Sequence, residues 1–371
     1  MNILIAPNSM KGSLSAFRFS EIVEKAFKDV DSDFFSIKKL PVADGGDMTA
    51  EVLTYALNLK KHMVEVLGPL LSPVNAEFGY DDGTAVIEMA NASGMRLLAV
   101  DELNPMKASS FGTGQLIMDA VCLGAKKIYL GIGGSATVDG GMGMLEAMGA
   151  QFFDEAGNKL AGNGANLSKI SDFEFDVKSF PRDLEIKIIC DVDNPLLGEH
   201  GAANVFAPQK GANSAMVAEL EKGLHHFSDL IFTKTGIQVQ NMRGAGAAGG
   251  ISIGLAAFLG AEIVEGANFV LDQVLFDEHA QWADIVITGE GRIDTQTLHN
   301  KAPFAVALRA KKYGKKVIAI GGSVEPFADS PFDAIFSIIN KPCSLEYAMQ
   351  NSESLLAGVV FELAKFLHSV F

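Results

Sequence analysis

The sequence predicts an α/β protein of two domains, and three observations carry that expectation. Short apolar runs lead into glycine-containing turns at Asn2–Ala6, Asp284–Thr288 and Val317–Ile320, and the segments that follow have helical spacing. This style occupies both ends of the chain, whereas the middle shows strand patterns flanking tight turns. The 371 residues, 48% apolar and 20% charged, are enough for two separately cored domains. The expected organisation is a Rossmann-like parallel-sheet domain built from residues 1–70 and 283–371, with a mixed α+β domain, 71–282, inserted between its halves.

Taken in order, Asn2–Ala6 is a first strand, and Pro7–Gly12 is a loop. A helix follows whose apolar positions Phe19, Ile22, Val23, Ala26, Phe27 and Val30 keep helical spacing. Phe34–Leu40 reads as the next strand, Ala43–Asp47 (ADGGD) as a loop, and Met48–Leu59 as a helix. Asn75–Tyr80 and Thr84–Met89 flank Asp81–Asp82–Gly83 as a hairpin does, and Phe152–Phe153 with Lys159–Leu160 suggests another. A helix near Gly114–Leu123 precedes the strand Ile128–Leu130. Glu185–Cys190 is a strand ending in DVDNP, and a long helix spans about Ser214–Lys234.

The charge balance excludes some partners. Thirty basic against forty-five acidic residues give a net charge of −15, which repels nucleic acid and anionic membranes. The expected partner is a small molecule. Cys122, Cys190 and Cys343 are odd in number and far apart, as in a protein of the reducing cytoplasm rather than a disulfide scaffold. The N-terminus has no basic flank and reads as a strand rather than a signal peptide. Gly244–Ala261 is uncharged, but its Gly/Ala content is too high for a membrane span.

The most distinctive stretch is Gly131–Gly143, GIGGSATVDGGMG. Such a strand-to-helix turn exposes backbone amides and suits phosphate, although a ligand-free tight turn would read the same way. Polar residues collect where parallel strands end, the edge at which α/β sheets bind ligands. Lys11 follows the first strand and Asp44 the second; Asp191, Asp193 and Asn194 follow the middle strand; Glu290, Arg292 and Asp294 follow Asp284–Thr288. Phosphate-binding glycines, carboxylates for a metal or a proton, and Lys or Arg against developing charge are the parts phosphoryl transfer needs. Neither GxxxxGK[ST] nor the protein-kinase signatures occur. A rival reading is an NAD-dependent oxidoreductase using Gly244–Gly249 (GAGAAG), but the preceding Gln238–Arg243 is too polar for a buried parallel strand. A catalytically silent nucleotide-binding protein is a further alternative.

Together the motifs resemble the class I glycerate kinase family, the glycerate 2-kinases. The matching stretches include PNSMKGSLSA (Pro7–Ala16), ADGGDMT (Ala43–Thr49), NASG (Asn91–Gly94), FGTGQLI (Phe111–Ile117) and GIGGSATVDGGMG. They continue with CDVDNPLLG (Cys190–Gly198), GAANVFAPQKGA (Gly201–Ala212), GAGAAGG (Gly244–Gly250), TGEGRIDTQT (Thr288–Thr297) and Lys301–Ala302–Pro303. The resemblance implies an ATP- and Mg²⁺-dependent enzyme that phosphorylates D-glycerate at its 2-hydroxyl. It implies that Gly133, Gly134, Ser135 and Thr137 hold ATP phosphates, that Asp191 and Glu290 serve the metal, that Asp44 is the base, and that Lys11 and Arg292 offset charge. The chain departs from the family pattern at Asn8, Met10, Asp47, Met48, Val138, Ala207 and Asn300.

Overall fold

The computed structural model describes residues 1–46, 48–294, 301–325 and 330–371. Asp47 and Asn300, two of the departures noted above, lie outside the described residues. The chain divides into two compact units, Met1–Asp44 with Glu265–Phe371, and Gly45–Val264. Strands are numbered in chain order: β1 (Asn2–Ile5), β2 (Ser36–Lys39), β3 (Lys60–Leu67), β4 (Pro73–Asp81), β5 (Thr84–Glu88), β6 (Lys127–Gly131), β7 (Gln151–Phe153), β8 (Lys159–Leu160), β9 (Asp172–Glu174), β10 (Glu185–Cys190), β11 (Glu262–Glu265), β12 (Ile285–Ile293), β13 (Lys316–Val324) and β14 (Ala334–Ser337).

The first unit holds a five-stranded sheet in the order β14-β13-β12-β1-β2, every pairing parallel. Its central strands are apolar on both faces because helices cover both. Ile3, Ile5, Ile287 and Ile320 pack with Phe19, Val23 and Phe27 of the helix Ala16–Asp31 and with Leu356 and Val360 of Ser352–Val370. The alternate residues Leu4, Val286, Val317 and Ala319 are equally buried. Each such side chain contributes roughly 1.5–3 kcal/mol of burial. Ser15 starts the helix Ala16–Asp31 by accepting from Arg18 N at 3.1 Å.

β12 and β13 run further than the sequence suggests. Both were expected to stop before their glycines, yet the ladder continues to Arg292↔Ser323 and Ile293↔Val324. These glycines permit close strand approach instead of breaking the ladder: a Cβ on Gly289 would lie 2.4 Å from Ile320 O, and one on Gly322 would lie 2.5 Å from Gly291 O. Glu290 and Arg292 are consequently strand residues rather than loop residues.

The second unit holds a six-stranded mixed sheet, β11-β10-β6-β5-β4-β3, and a small β8-β7-β9 sheet. β5, β6 and β10 are parallel, while β3, β4 and β5 form an antiparallel meander. Both expected hairpins form, the first turning at Asp82 and Gly83 with φ of 44° and 75°. Ile87, Ile128, Leu130 and Ile188 pack with Leu116 and Ile117 of the helix Phe111–Cys122. Phe152, Phe173 and Phe227 centre a further core around the long helix Ser214–Thr235.

Both boundaries fall earlier than the composition change suggests. Residues 45–70 belong to the second unit, because β3 pairs with β4 from Lys60↔Tyr80 to Leu67↔Pro73. Gly68 and Pro69 therefore turn the chain within a sheet, with Gly68 N donating to Ser72 O at 2.7 Å. Residues 265–282 join the first unit, where the helices Gly266–Gln273 and Phe276–Trp282 pack with Ala302–Lys312. Gly244–Ala261 breaks into a 3₁₀ turn, Ala247–Gly249, and a helix, Ser252–Leu259. Among the described residues no helix is long and apolar enough to cross a membrane.

Candidate active site

In the second unit the glycine-rich stretch leaves β6 and reaches the short helix Met142–Ala147, as its sequence requires. Of Gly131–Gly143, only Gly133 and Gly134 reach the surface; every other residue is buried. Most of the glycines therefore serve packing. A Cβ on Gly141 would lie 2.7 Å from Ile251 O, and one on Gly143 would lie 2.2 Å from Ser109 Oγ. The surface part is different. Gly134 has φ +70°, its carbonyl accepts from Met95 N at 2.9 Å, and Ala136 N donates to Ser93 O. Among the described residues the amides of Gly133, Gly134 and Ser135 find no acceptor. Three successive free amides beside a left-handed glycine form an anion-receptive concavity.

Two buried charges hold this turn from behind. Asp139 is fully buried and accepts from Ser110 N (2.8 Å), Ser110 Oγ (2.7 Å), Gly141 N (3.1 Å) and Gly143 N (3.2 Å). Burial pushes its carboxyl up, against those donors. Lys210, 2% exposed, donates 2.7 Å bonds to Ser135 Oγ and Thr137 O. Burial pushes this ammonium down to about 7, with the Asp139 charge opposing the shift. Thr137, expected beside phosphate, is 0% exposed, and among the described residues its Oγ1 has no hydrogen-bond partner. Its contribution is the carbonyl that Lys210 grips.

Asp191 follows β10, whose Ile189 is in register with Gly131 of β6, so Asp191 and the glycine turn leave neighbouring strand ends. Asp191 is exposed. Its loop is braced by the Arg243–Asp193 pair at 2.5 and 2.8 Å and by Gly246 N donating to Asn194 O at 2.9 Å. Cys190 beside it is no nucleophile, since burial pushes its thiol up to about 12. GAGAAG has no dinucleotide geometry. The 3₁₀ turn Val239–Asn241 precedes it instead of a strand, and Cβ atoms on Gly246 and Gly249 would lie 2.1 Å from Pro195 O and 2.2 Å from Thr137 O. It is a close-packed turn supporting the two loops.

In the first unit, Lys11, Asp44, Glu290 and Arg292 collect at the carboxyl edge of the parallel sheet. Asn8 N donates to Gly289 O at 2.8 Å and Asn8 Nδ2 to Asp44 Oδ2 at 2.9 Å, tying the β1 and β12 edges to Asp44. Asn8 Oδ1 accepts from Ser9 N, which fixes the amide orientation. Lys11 is exposed in a small loop closed by Met10 and Leu14, and its amide lies 3.5 Å from where a Cβ on Gly291 would sit. Glu290 is 5% exposed with Lys301 Nζ at 3.6 Å. Arg292 is held between Asp294 (2.7 Å) and Glu325 (2.6 Å), so carboxylates of its own unit already balance its charge.

Sequence reasoning missed Lys210, Asp139 and Lys301 as side chains with a role, although each lies in a quoted motif. A lone Lys in the apolar stretch ANVFAPQK was the available signal for Lys210. For a metal, no group of three His, Cys, Asp or Glu side chains converges among the described residues. Mg²⁺, the metal that the family resemblance implies, takes one or two carboxylates and completes its shell with phosphate and water. Asp191 fits such a role. Glu290 already faces the Lys301 cation.

Comparison with known proteins covers nearly the whole chain. Residues 3–368 match the Glycerate kinase family. A glycerate kinase from Halalkalibacterium halodurans is 44% identical over 98% of this chain and 97% of its own length. A glycerate 2-kinase from Escherichia coli K12 is 42% identical over 95% and 94%. A crystal structure of a protein from Salmonella typhimurium LT2 superposes with a TM-score of 0.87 at 40% identity, covering 100% of this chain and 98% of that one. With its fold and its full length matched, the chain belongs to the glycerate kinase family.

Proposed function

We infer that this protein is an ATP-dependent kinase transferring the γ-phosphoryl group to the 2-hydroxyl of D-glycerate, giving 2-phosphoglycerate and ADP. The observation that carries the reading is the family correspondence over residues 3–368. The amides of Gly133–Ser135 hold phosphate oxygens, and the Ser135 hydroxyl adds a donor. Asp44 takes the proton of the attacking hydroxyl as the oxygen–phosphorus bond forms and the bond to ADP breaks. Asn8 holds Asp44 through the 2.9 Å amide bond. Asp191 holds Mg²⁺, with Glu290 as the second carboxylate candidate; bound Mg²⁺ supplies charge neutralisation on the phosphates. Lys11 offsets negative charge on phosphate or glycerate. Arg292 is a weaker candidate for that task because of its two carboxylate partners.

The test is ADP release from ATP and Mg²⁺ with D-glycerate, L-glycerate and related hydroxy acids, with product position read by phosphorus NMR. The expected outcome is 2-phosphoglycerate from D-glycerate. Absence of ADP release above background refutes the kinase reading, and a dominant 3-phosphoglycerate product refutes the regiochemistry.

A further inference from the structure

We propose that Lys210 is a positioning residue for the nucleotide's phosphates: it sets the Ser135 hydroxyl as a donor and places a positive charge directly behind the Gly133–Ser135 turn. The proposal deepens the reading above and rests on that turn holding phosphate.

Three observations carry it. First, Lys210 is 2% exposed, so its effect passes through the loop it touches. Its Nζ donates to Ser135 Oγ and Thr137 O, both at 2.7 Å. Secondly, a hydroxyl that accepts from an ammonium must direct its own proton elsewhere. Ser135 is 5% exposed, and among the described residues its Oγ has no partner besides Lys210. The hydroxyl proton is therefore left for an acceptor at the turn, alongside the amides of Gly133, Gly134 and Ser135. Thirdly, burying a cation is costly even with the Asp139 charge opposing the shift, and a structure that only needed to brace the loop could do so with a neutral donor. A charge here has an electrostatic use. In a low-dielectric setting it strengthens every donor in front of it toward an anion.

The charged group facing Lys210 is Asp139, on the loop before Met142–Ala147; the other atoms it touches are the neutral Ser135 hydroxyl and the Thr137 carbonyl. Asp139 is already shared among four donors from Ser110, Gly141 and Gly143. The ammonium, lowered to about 7, stands near its titration point at neutral pH. An anion bound at the turn stabilises the protonated form, so binding above neutrality draws in a proton.

Isothermal titration calorimetry of the full-length protein with a non-hydrolysable ATP analogue and Mg²⁺ tests this, with buffers of differing ionisation enthalpy at pH 8. Wild type is expected to take up a substantial fraction of a proton on binding and to bind at least fivefold more weakly at pH 8.5 than at pH 6.5. K210M is expected to bind the analogue at least tenfold more weakly at pH 6.5, to lose the proton uptake, and to keep glycerate affinity within twofold. A wild type with no proton uptake and flat affinity overturns the proposal even if K210M does not fold. A folded K210M that binds like wild type also overturns it. The parallel variant Gly134→Val separates the two levels. If Gly134→Val binds the analogue as tightly as wild type, the phosphate turn itself is refuted; if it binds weakly while K210M does not, only the role of Lys210 falls.

Discussion

Replacing Asp139 by alanine should destabilise the second unit severely. The carboxylate is fully buried and satisfies four donors between 2.7 and 3.2 Å, two of them amides of Gly141 and Gly143 at the start of the helix Met142–Ala147. Hydrogen bonds to a charged acceptor contribute about 1.5–3 kcal/mol each in isolation, but they share one desolvation cost and do not add. The better guide is the loss on removing one member of a buried charged cluster, about 3–5 kcal/mol, because donors and a buried Lys210 are then left uncompensated. Against a typical total of about 5–15 kcal/mol, that is a large share. Asp139→Asn preserves the volume but turns a donor toward donors, and should cost above about 1 kcal/mol. Urea unfolding followed by far-UV circular dichroism gives the free energies, and hydrogen exchange of peptides containing Gly141–Gly143 locates the loss. A change below about 1 kcal/mol for Asp139→Ala, at an unchanged m-value, would refute the view that this carboxylate organises the loop.

Further expectations concern the neighbouring positions. Asp191→Asn should lower kcat at least tenfold with folding intact, since a metal contact is commonly worth about 10²-fold; wild-type turnover at saturating Mg²⁺ would reduce Asp191 to a surface carboxylate. Gly249→Ala places a Cβ 2.2 Å from Thr137 O at φ +73° and should destabilise by about 2 kcal/mol or more, read as a shifted unfolding midpoint. Lys210 also makes a pH prediction for stability. Its folded pKa of about 7 lies below the ordinary 10.5, so between these values the unfolded chain binds the extra proton and stability rises with pH. Wild type minus K210M should show that rise between pH 7 and 10, and a flat difference would contradict the depressed ammonium. ATP affinity should fall over the same interval, so the two readouts move in opposite directions.

The sequence made the fold class legible because strand, turn and helix repeat with clear periodicity near both ends, and the observed parallel sheet uses those segments. The boundaries were not legible. Gly68–Pro69 has the composition of a linker but lies inside the β3–β4 connection, and composition cannot distinguish a tight sheet turn from a hinge. Glycine had two uses that look alike in a string of letters. Gly134 sits at positive φ by a surface turn, whereas Gly143 and Gly246 are small because side-chain or backbone atoms fill the space beside them. Met48 shows the converse: it adopts φ 71° ahead of the helix Thr49–Ala56, a conformation that favours glycine. Strand-end carboxylates were found by position alone. Lys210 was not, because it comes from a distant turn and its relation to Ser135 exists only once the chain is folded.

The central place of β1 has a consequence for biosynthesis. β1 lies between β2 and β12, so one of its two partners is encoded more than two hundred residues downstream. A ribosome adding about 5–20 residues per second needs roughly 12–50 s to travel from Asp44 to Ile285. Throughout that interval the nascent chain carries a β1 edge with no neighbour, while all of Gly45–Val264 emerges and can complete its own sheet. Vectorial synthesis thus imposes an order in which the inserted unit matures first and the unit bearing the N-terminus closes last.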